Sequence, residues 1–155
     1  SSKGFDARSA RVALSYGPGT KKDDHRVINQ FIQRAVTEKK INLMDMGEAN
    51  RTYCYVSDTV EILWHIILNG SMPVYNVGGM SKTTIADLAK SIGKLMDVEV
   101  IFPNIETNMN DAPLDVSLDM NSVQTEFKKE NYKDLTSGLA ETINFQKLLY
   151  KTKNI

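Results

Sequence analysis

Short apolar runs alternate with longer amphipathic stretches along almost all of this 155-residue chain. The run in ARSARVALSY (7–16) is stopped by the turn residues GPGT, and the next stretch repeats apolar residues at helical spacing. A strand, a helix and a second strand in succession typically form a parallel pair. The alternation therefore predicts an α/β fold with few, mainly parallel strands and flanking helices.

The expected elements are bounded by glycines, prolines and capping residues. Strands are predicted at 9–15, 41–46, 53–56, 73–77 and 98–103, and helices over 23–40, 59–70, 84–96 and 135–148, with a short helix after Asp119. Residues 104–118 have the polar composition of a loop, and Thr84 with Asp87 predicts a capping box. The helix opened by Asp58 is apolar on more than one face and ends at Gly70, so we expect it to be sandwiched.

Composition excludes several classes of protein. Hydrophobic residues make up 41% of the chain, enough for one domain with a core, and 19 basic residues balance 19 acidic ones with no basic block. This argues against a nucleic-acid or membrane-surface partner. A single cysteine and two histidines predict neither a disulfide nor a zinc site, and the apolar run around Val60–Leu68 is too short to span a bilayer. We expect a cytoplasmic protein in a reducing compartment.

The chain carries no familiar catalytic motif. It has no G-x-G-x-x-G after a strand, no tyrosine followed four residues later by lysine, no G-x-S-x-G, no P-loop and no H-E-x-x-H. Cys54 is expected to be a buried structural thiol, His65 a packed or half-exposed helix residue and His25 a surface turn residue. We therefore predict no catalytic residue and no metal, and the chemistry alone indicates a binding domain.

Arg51 stands at the head of an apolar, aromatic run in NRTYCYVSD (50–58). One interpretation is a solvated charge at the edge of a strand. The other is an anion clamp, because a guanidinium group presents a planar fork that matches phosphate.

Four segments in order resemble one family: RVALSYGPG, DDHRVINQFIQRAV, NRTYCYVSD and YNVGG before an amphipathic helix. They resemble the C-terminal half of extended short-chain dehydrogenases, the nucleotide-sugar epimerases, 4,6-dehydratases and the UDP-glucuronate decarboxylase group. The resemblance runs from about residue 5 to residue 150. It implies a Rossmann-like fold and a parent enzyme that oxidises the sugar 4-OH with NAD.

The resemblance also implies a division of the molecule. Residues 1–150 would form the substrate-binding lobe plus the last strands of the dinucleotide-binding sheet, and 151–155 a frayed tail. The part that holds most of the NAD and supplies the Tyr-x-x-x-Lys pair would be absent. The strands at 9–15 and 73–77 would then have exposed edges, which predicts self-association or a homodimer.

The resemblance assigns roles to particular residues. Arg51 corresponds to the arginine that binds the diphosphate of a nucleotide sugar, and Tyr16 to a residue near the nicotinamide. Other substrate contacts are assigned to the start of a helix and to the segment that flanks the nucleobase: Arg26, Val27, Asn29, Gln30, Leu43 and Met44. The helix start would act partly through backbone N–H groups that favour anions.

This chain departs from the family pattern in three places. Leu14 stands where a ligand-binding asparagine is common, and Asp45 replaces the first glycine of Gly-x-Gly. A second phosphate-binding arginine is replaced by Asp115 or Val116, and Asp115 would repel a diphosphate.

Three hypotheses about function follow. The first is the nucleotide-sugar-binding portion of an NAD-dependent epimerase, dehydratase or decarboxylase, without turnover of its own. The alternative is a non-catalytic nucleotide-binding sensor or scaffold of the same fold, and the third is a self-contained α/β interaction domain.

Overall fold

The computed structural model describes residue 4 and residues 6–104 and 113–151. Within these residues it has eight short strands and five helices. The strands are β1 Ser9–Val12, β2 Leu14–Tyr16, β3 Lys40–Asn42, β4 Asn50–Tyr55, β5 Val74–Val77, β6 Ser81–Thr84, β7 Glu99–Ile101 and β8 Asp115–Val116. The helices are α1 Val27–Thr37, α2 Val56–Asn69, α3 Ile85–Met96, α4 Asn121–Phe127 and α5 Leu135–Lys151.

The strands form three small sheets. β1 pairs with β5 and β3 pairs with β7, both in parallel. β4 is parallel to β2 and β8 and antiparallel to β6. The prediction of a mainly parallel α/β fold is confirmed.

The two edges of β4 are used differently. β6 runs along residues 50–53 on one edge. The opposite edge is shared, since β8 pairs with residues 50–51 and β2 with residues 53–55. Thr52 lies between these two partners, so a gap opens on that edge.

Two hydrophobic clusters form the core. The larger one lies where α1, α3 and α5 pack around the tyrosines of β2 and β4 and around Ile41 of β3. The smaller one lies where α2 and α4 enclose β5, with Ile62, Ile66 and Tyr75 at its centre. Cys54 is buried and free, and His65 is half-buried with its ring stacked on Phe127, as expected.

Helix α2 corrects one prediction. It begins at Val56 and not at Asp58, and one face is buried through Ile62 and Ile66. Its other face is open, with Trp64 58% and Leu68 71% exposed. The helix is therefore not sandwiched within the described residues, because β5, β4, β2 and α4 pack against it and leave this other face exposed.

Two strands were not predicted. β6 has the polar sequence SKTT and β8 is two residues long, so neither shows an apolar alternation. Both exist because β4 offers unpaired backbone groups to them. The strand expected over 41–46 ends at Asn42, and residues 105–112 of the expected loop lie outside the described residues.

The predicted helix ends are largely confirmed. The Thr84 side chain accepts a hydrogen bond from the Asp87 backbone N–H at 3.0 Å, and Gly70 follows the last residue of α2. Asp119 accepts from the Asn121 N–H at 2.9 Å at the start of α4. Lys151 still belongs to α5, and the rest of the expected tail lies outside the described residues.

Candidate functional site

A cavity of about 480 Å³ opens between α1, the segment that follows β3, and the start of β4. Residues from four parts of the chain line it: Val27, Gln30, Phe31, Arg34, Asn42, Leu43, Met44, Asp45, Met46, Gly47, Glu48, Ala49, Arg51, Ile85 and Leu114. The α1 members lie at positions i, i+3, i+4 and i+7 from Val27, so they share one face of that helix. We call this the first cavity.

A tight turn at residues 45–47 shapes one wall of the first cavity. Asp45 Oδ1 accepts a hydrogen bond from the Gly47 N–H at 2.8 Å, which closes the turn. Gly47 has φ +68°, and a Cβ there would lie 2.6 Å from the Ala86 nitrogen. Asp45, which departs from the glycine of the family pattern, therefore stabilises this turn through its side chain.

Arg34 joins α1 to the end of β3. Its Nη1 donates to the Asn42 carbonyl oxygen at 2.8 Å. Arg34 was not among the predicted site residues, although its spacing from Val27 and Phe31 places it on the same helical face. The hydrogen bond fixes the backbone just before Leu43 and Met44.

Arg51 lies between the first cavity and a second one. Its Nη1 donates to the Asn50 carbonyl at 2.7 Å and to the Pro113 carbonyl at 2.9 Å. Among the described residues, its Nε and Nη2 groups make no hydrogen bond or ion pair. A half-buried guanidinium with donors to spare is suited to an anion.

The second cavity, of about 360 Å³, lies at the gap between β8 and β2 on the edge of β4. Its lining is mostly apolar, with two guanidinium groups: Arg11, Val12, Ala13, Leu14, Arg51, Thr52, Val116 and Leu118. Arg51 is the residue that the two cavities share.

Five of the seven predicted substrate-binding residues line the first cavity, namely Val27, Gln30, Leu43, Met44 and Arg51. Met44 is 72% exposed, while its neighbour Leu43 is buried. Whether these residues contact a ligand stays a prediction.

The Asn29 side chain lies away from the first cavity. It is 3% exposed, and its Oδ1 accepts from Gln146 Nε2 of α5 at 2.6 Å. Helical spacing explains this, since Asn29 lies on the face of α1 that includes buried Ile32, away from the cavity.

The Arg26 side chain also makes its hydrogen bonds outside the two cavities. Its Nε and Nη2 donate to Asp24 at 2.9 Å and 2.6 Å, and its Nη1 donates to the Ser15 carbonyl. The hydrogen bonds to Arg26 hold the pKa of the Asp24 carboxyl well below its usual range. Arg26 therefore ties the start of α1 to β2 and does not line either cavity. His25 beside it is exposed, as predicted.

Tyr16 lies in the core and not at a cofactor surface. It is 2% exposed, its ring packs edge-on against Tyr53 and Tyr55, and its hydroxyl has no hydrogen-bond partner in the described structure. Burial, with a smaller contribution from Tyr55, raises its pKa well above the usual value. A Cβ on Gly138 would lie 2.2 Å from its hydroxyl oxygen.

This placement does not fit a side-chain contact with NAD. Tyr16 was the single residue assigned to the cofactor, and its enclosed hydroxyl leaves no room for a nicotinamide beside it.

Asp115 does not face Arg51. Directly paired residues share a face of a sheet, so the register places Val116 with Arg51 and Asp115 with Asn50. Asp115 binds Lys82 at 2.6 Å across β4. Alternation and the ion pair therefore place the Asp115 carboxylate away from the Arg51 side, which argues against the expected repulsion of a diphosphate.

Away from the cavities, a buried ion-pair cluster anchors the start of α2. Lys129 is 7% exposed, and its Nζ lies 3.0 Å from Asp58 and 2.7 Å from Glu61. The second oxygen of Asp58 accepts from the Lys133 backbone N–H at 2.9 Å. The described residues contain no cluster of three or more potential metal ligands, and none of the helices they form has the length and apolarity to cross a bilayer.

Solved structures with the same fold include nucleotide-sugar enzymes. A UDP-glucose 4-epimerase from Thermotoga maritima, solved with UDP-glucose, superposes with a TM-score of 0.78 at 23% identity over 91% of this chain and 46% of that one. A dTDP-glucose 4,6-dehydratase from Bacillus anthracis, solved with NAD, gives 0.75 at 20% identity over 93% and 44%. At these identities the likeness establishes the Rossmann-like fold alone.

Curated sequences give the closer relationship. UDP-glucuronic acid decarboxylase 6 of Arabidopsis thaliana is 31% identical over 70% of this chain and 32% of its own length. UDP-glucuronic acid decarboxylase 1 of Xenopus tropicalis is 33% identical over 61% of this chain and 22% of its own length. The chain thus spans about a third or less of the length of these relatives.

The family model described as "NAD dependent epimerase/dehydratase family" matches residues 1–78. The chain therefore belongs to the NAD-dependent epimerase/dehydratase family.

Proposed function

We propose that this chain is the nucleoside-diphosphate-sugar-binding portion of an NAD-dependent epimerase, dehydratase or decarboxylase. The observation that carries the proposal is the position of Arg51 in the lining of both cavities. A diphosphate is the central part of a nucleotide sugar, so an arginine between two cavities suits a ligand with a nucleoside on one side and a glycosyl group on the other.

The first cavity suits the nucleoside. It combines the apolar side chains of Phe31 and Leu43 with the thioether of Met44, which can lie against a flat ring. Gln30 on the same wall supplies an amide for polar groups, although its Nε2 also donates to the His25 carbonyl. Ligand pockets of a few hundred cubic ångströms commonly have this mix of apolar walls and few polar groups.

Calorimetry with UDP and UDP-glucose tests the proposal directly. We expect saturable binding with one site per chain, competed by dTDP. Heats no larger than those of dilution, with a chain that is folded by circular dichroism, would overturn it.

We propose further that the chain has no turnover by itself and that a family enzyme binds NAD mainly through residues outside this sequence. The sequence lacks a tyrosine followed four residues later by lysine and lacks a Gly-rich dinucleotide loop. Incubation with UDP-glucose or UDP-glucuronic acid and NAD should produce neither NADH nor a new sugar nucleotide. Robust conversion would contradict the proposal.

A non-catalytic nucleotide-binding or scaffold domain is the second candidate. The observation that favours it is Leu14 and Val116 in the second cavity, at positions where the family often has polar ligand contacts. Adding a separately produced dinucleotide-binding half from a family enzyme separates the two candidates. Restored hydride transfer supports the enzyme, and nucleotide binding without it supports the scaffold.

We also propose that the chain self-associates, as a homodimer in the simplest case. Within the described residues β1 pairs with β5 alone, so its second edge is open. Trp64, Ile67 and Leu68 on α2 are each more than half exposed. Light scattering after size exclusion should show a mass above that of one chain, and Trp64→Glu should lower it, whereas Lys90→Glu on α3 should not.

A reducing, cytosolic location stays a prediction. The buried free thiol of Cys54 is compatible with it.

A further inference from the structure

The second cavity differs chemically from a pocket built for a polyhydroxylated sugar. It occupies the gap that β8 and β2 leave along β4, next to Thr52. Carbohydrate hydroxyls are normally matched by side-chain amides, carboxylates or hydroxyls, since each hydroxyl that leaves water needs a new partner.

The lining offers few such partners. Among the residues that line it, only Thr52 has a neutral polar side chain. Val12 is 49% exposed, Leu14 36% and Val116 44%, so these residues present aliphatic carbon to whatever occupies the site. Covering exposed aliphatic surface favours binding, whereas burying an unmatched hydroxyl there opposes it.

The two guanidinium groups define what the occupant is attached to. Arg51 borders both cavities, and Arg11 lines the second one alone. This step rests on the proposed function, in which the diphosphate lies at Arg51. The group on the far side of that diphosphate then enters the second cavity.

We propose that the second cavity selects a hydroxyl-poor glycosyl group, that is, a deoxygenated sugar attached to a nucleoside diphosphate. The aliphatic side chains contact the deoxygenated carbons, and the guanidinium groups bind the phosphate oxygens. Leu14 is the specificity-determining residue, because it lines the second cavity at the start of β2 and pairs with Tyr53, next to Thr52 at the gap.

A matched ligand series tests this on the unmodified chain. Calorimetry compares UDP, UDP-glucose, the 3-, 4- and 6-deoxy analogues of UDP-glucose, and UDP-glucuronic acid. We expect at least one deoxy analogue to bind about tenfold more tightly than UDP-glucose, within the range by which apolar pockets discriminate against an added hydroxyl. Equal affinities for UDP-glucose and every deoxy analogue, or tightest binding of UDP-glucuronic acid, would overturn the inference.

The outcomes separate the inference from the proposed function. If UDP itself does not bind, the proposed function fails. If UDP binds and no deoxy analogue is favoured, the proposed function stands and the inference alone fails.

A variant pair assigns the selectivity to Leu14. Leu14→Asn should reduce the preference for the deoxy analogue to about twofold or less, because an amide provides partners for the hydroxyl. Val60→Asn, an equivalent change on the exposed face of α2, should leave the preference unchanged. An unchanged preference in a folded Leu14→Asn chain would show that Leu14 does not determine the selectivity. If this variant does not fold, the ligand series on the unmodified chain still tests the proposal.

Discussion

Replacing Arg51 with alanine is the most informative perturbation of the candidate site. Its Nη1 donates to the Asn50 and Pro113 carbonyls at 2.7 Å and 2.9 Å. Its Nε and Nη2 have no partner among the described residues, so both groups can donate to a phosphate. A hydrogen bond to a charged group contributes about 1.5–3 kcal/mol. The expected loss is therefore about 10- to 150-fold in the affinity for UDP, since 1.4 kcal/mol corresponds to a factor of ten.

The assay is calorimetry with uridine, UMP, UDP and UDP-glucose on the parent chain and on Arg51→Ala. Uridine carries no phosphate, so its affinity should change by less than about twofold if Arg51 contacts the diphosphate alone. The loss should appear for UDP and UDP-glucose. Because the arginine is only half-buried, raising the salt concentration should reduce the difference between the two chains.

Lys90→Ala is the matched control. It removes the same charge from α3, where Lys90 pairs with Asp87 at 3.3 Å outside both cavities. An unchanged affinity for UDP in Arg51→Ala would refute the reasoning and return Arg51 to a solvated charge at the edge of a strand. An equal loss for uridine and UDP would mean that the substitution acts through the Pro113 contact on the shape of the cavity.

Three further predictions concern stability. Lys129→Met should lower the free energy of unfolding by about 3 kcal/mol in urea, because it leaves buried Asp58 without its cation. Gly47→Ala should be more destabilising than Gly19→Ala, since both have positive φ but only the former places its Cβ against the α3 backbone, at 2.6 Å. Tyr16→Phe should be neutral or stabilising at pH 7, because it removes a hydroxyl without a partner in the described structure. Burial raises the pKa of Tyr16, so the parent chain should lose stability above about pH 10 as the unfolded state releases its phenolic proton, and the variant should lose less.

Each stability prediction has a result that contradicts it. Lys94→Met on the exposed face of α3 should change the free energy of unfolding by no more than about 0.5 kcal/mol, and an equally small effect of Lys129→Met would show that the buried pair is not stabilising. Equal costs for Gly47→Ala and Gly19→Ala would rule out the contact with α3. A loss above about 1 kcal/mol in Tyr16→Phe at pH 7 would show that its hydroxyl does have a partner.

Much of the fold follows from local sequence patterns. The apolar spacing in α1, α3 and α5 determined those helices, and Thr84 and Asp119 bind the backbone N–H groups near the starts of α3 and α4. The aromatic alternation predicted the buried part of β4. The family resemblance predicted Arg51 as a site residue, and Arg51 lines the first cavity. These features depend on hydrogen bonds and packing between residues close in the chain, which a short window of sequence contains.

Several features depend on long-range contacts, and only the tertiary structure determined them. β6 and β8 form only because β4 presents an edge to them, and Gln146 from α5 holds Asn29 away from the cavity. The sheet register places Asp115 on the face opposite Arg51, and Arg51 borders two cavities only because β8 and β2 leave a gap between them. No local pattern encodes these arrangements, because each depends on backbone partners and side-chain directions set by residues far apart in the sequence.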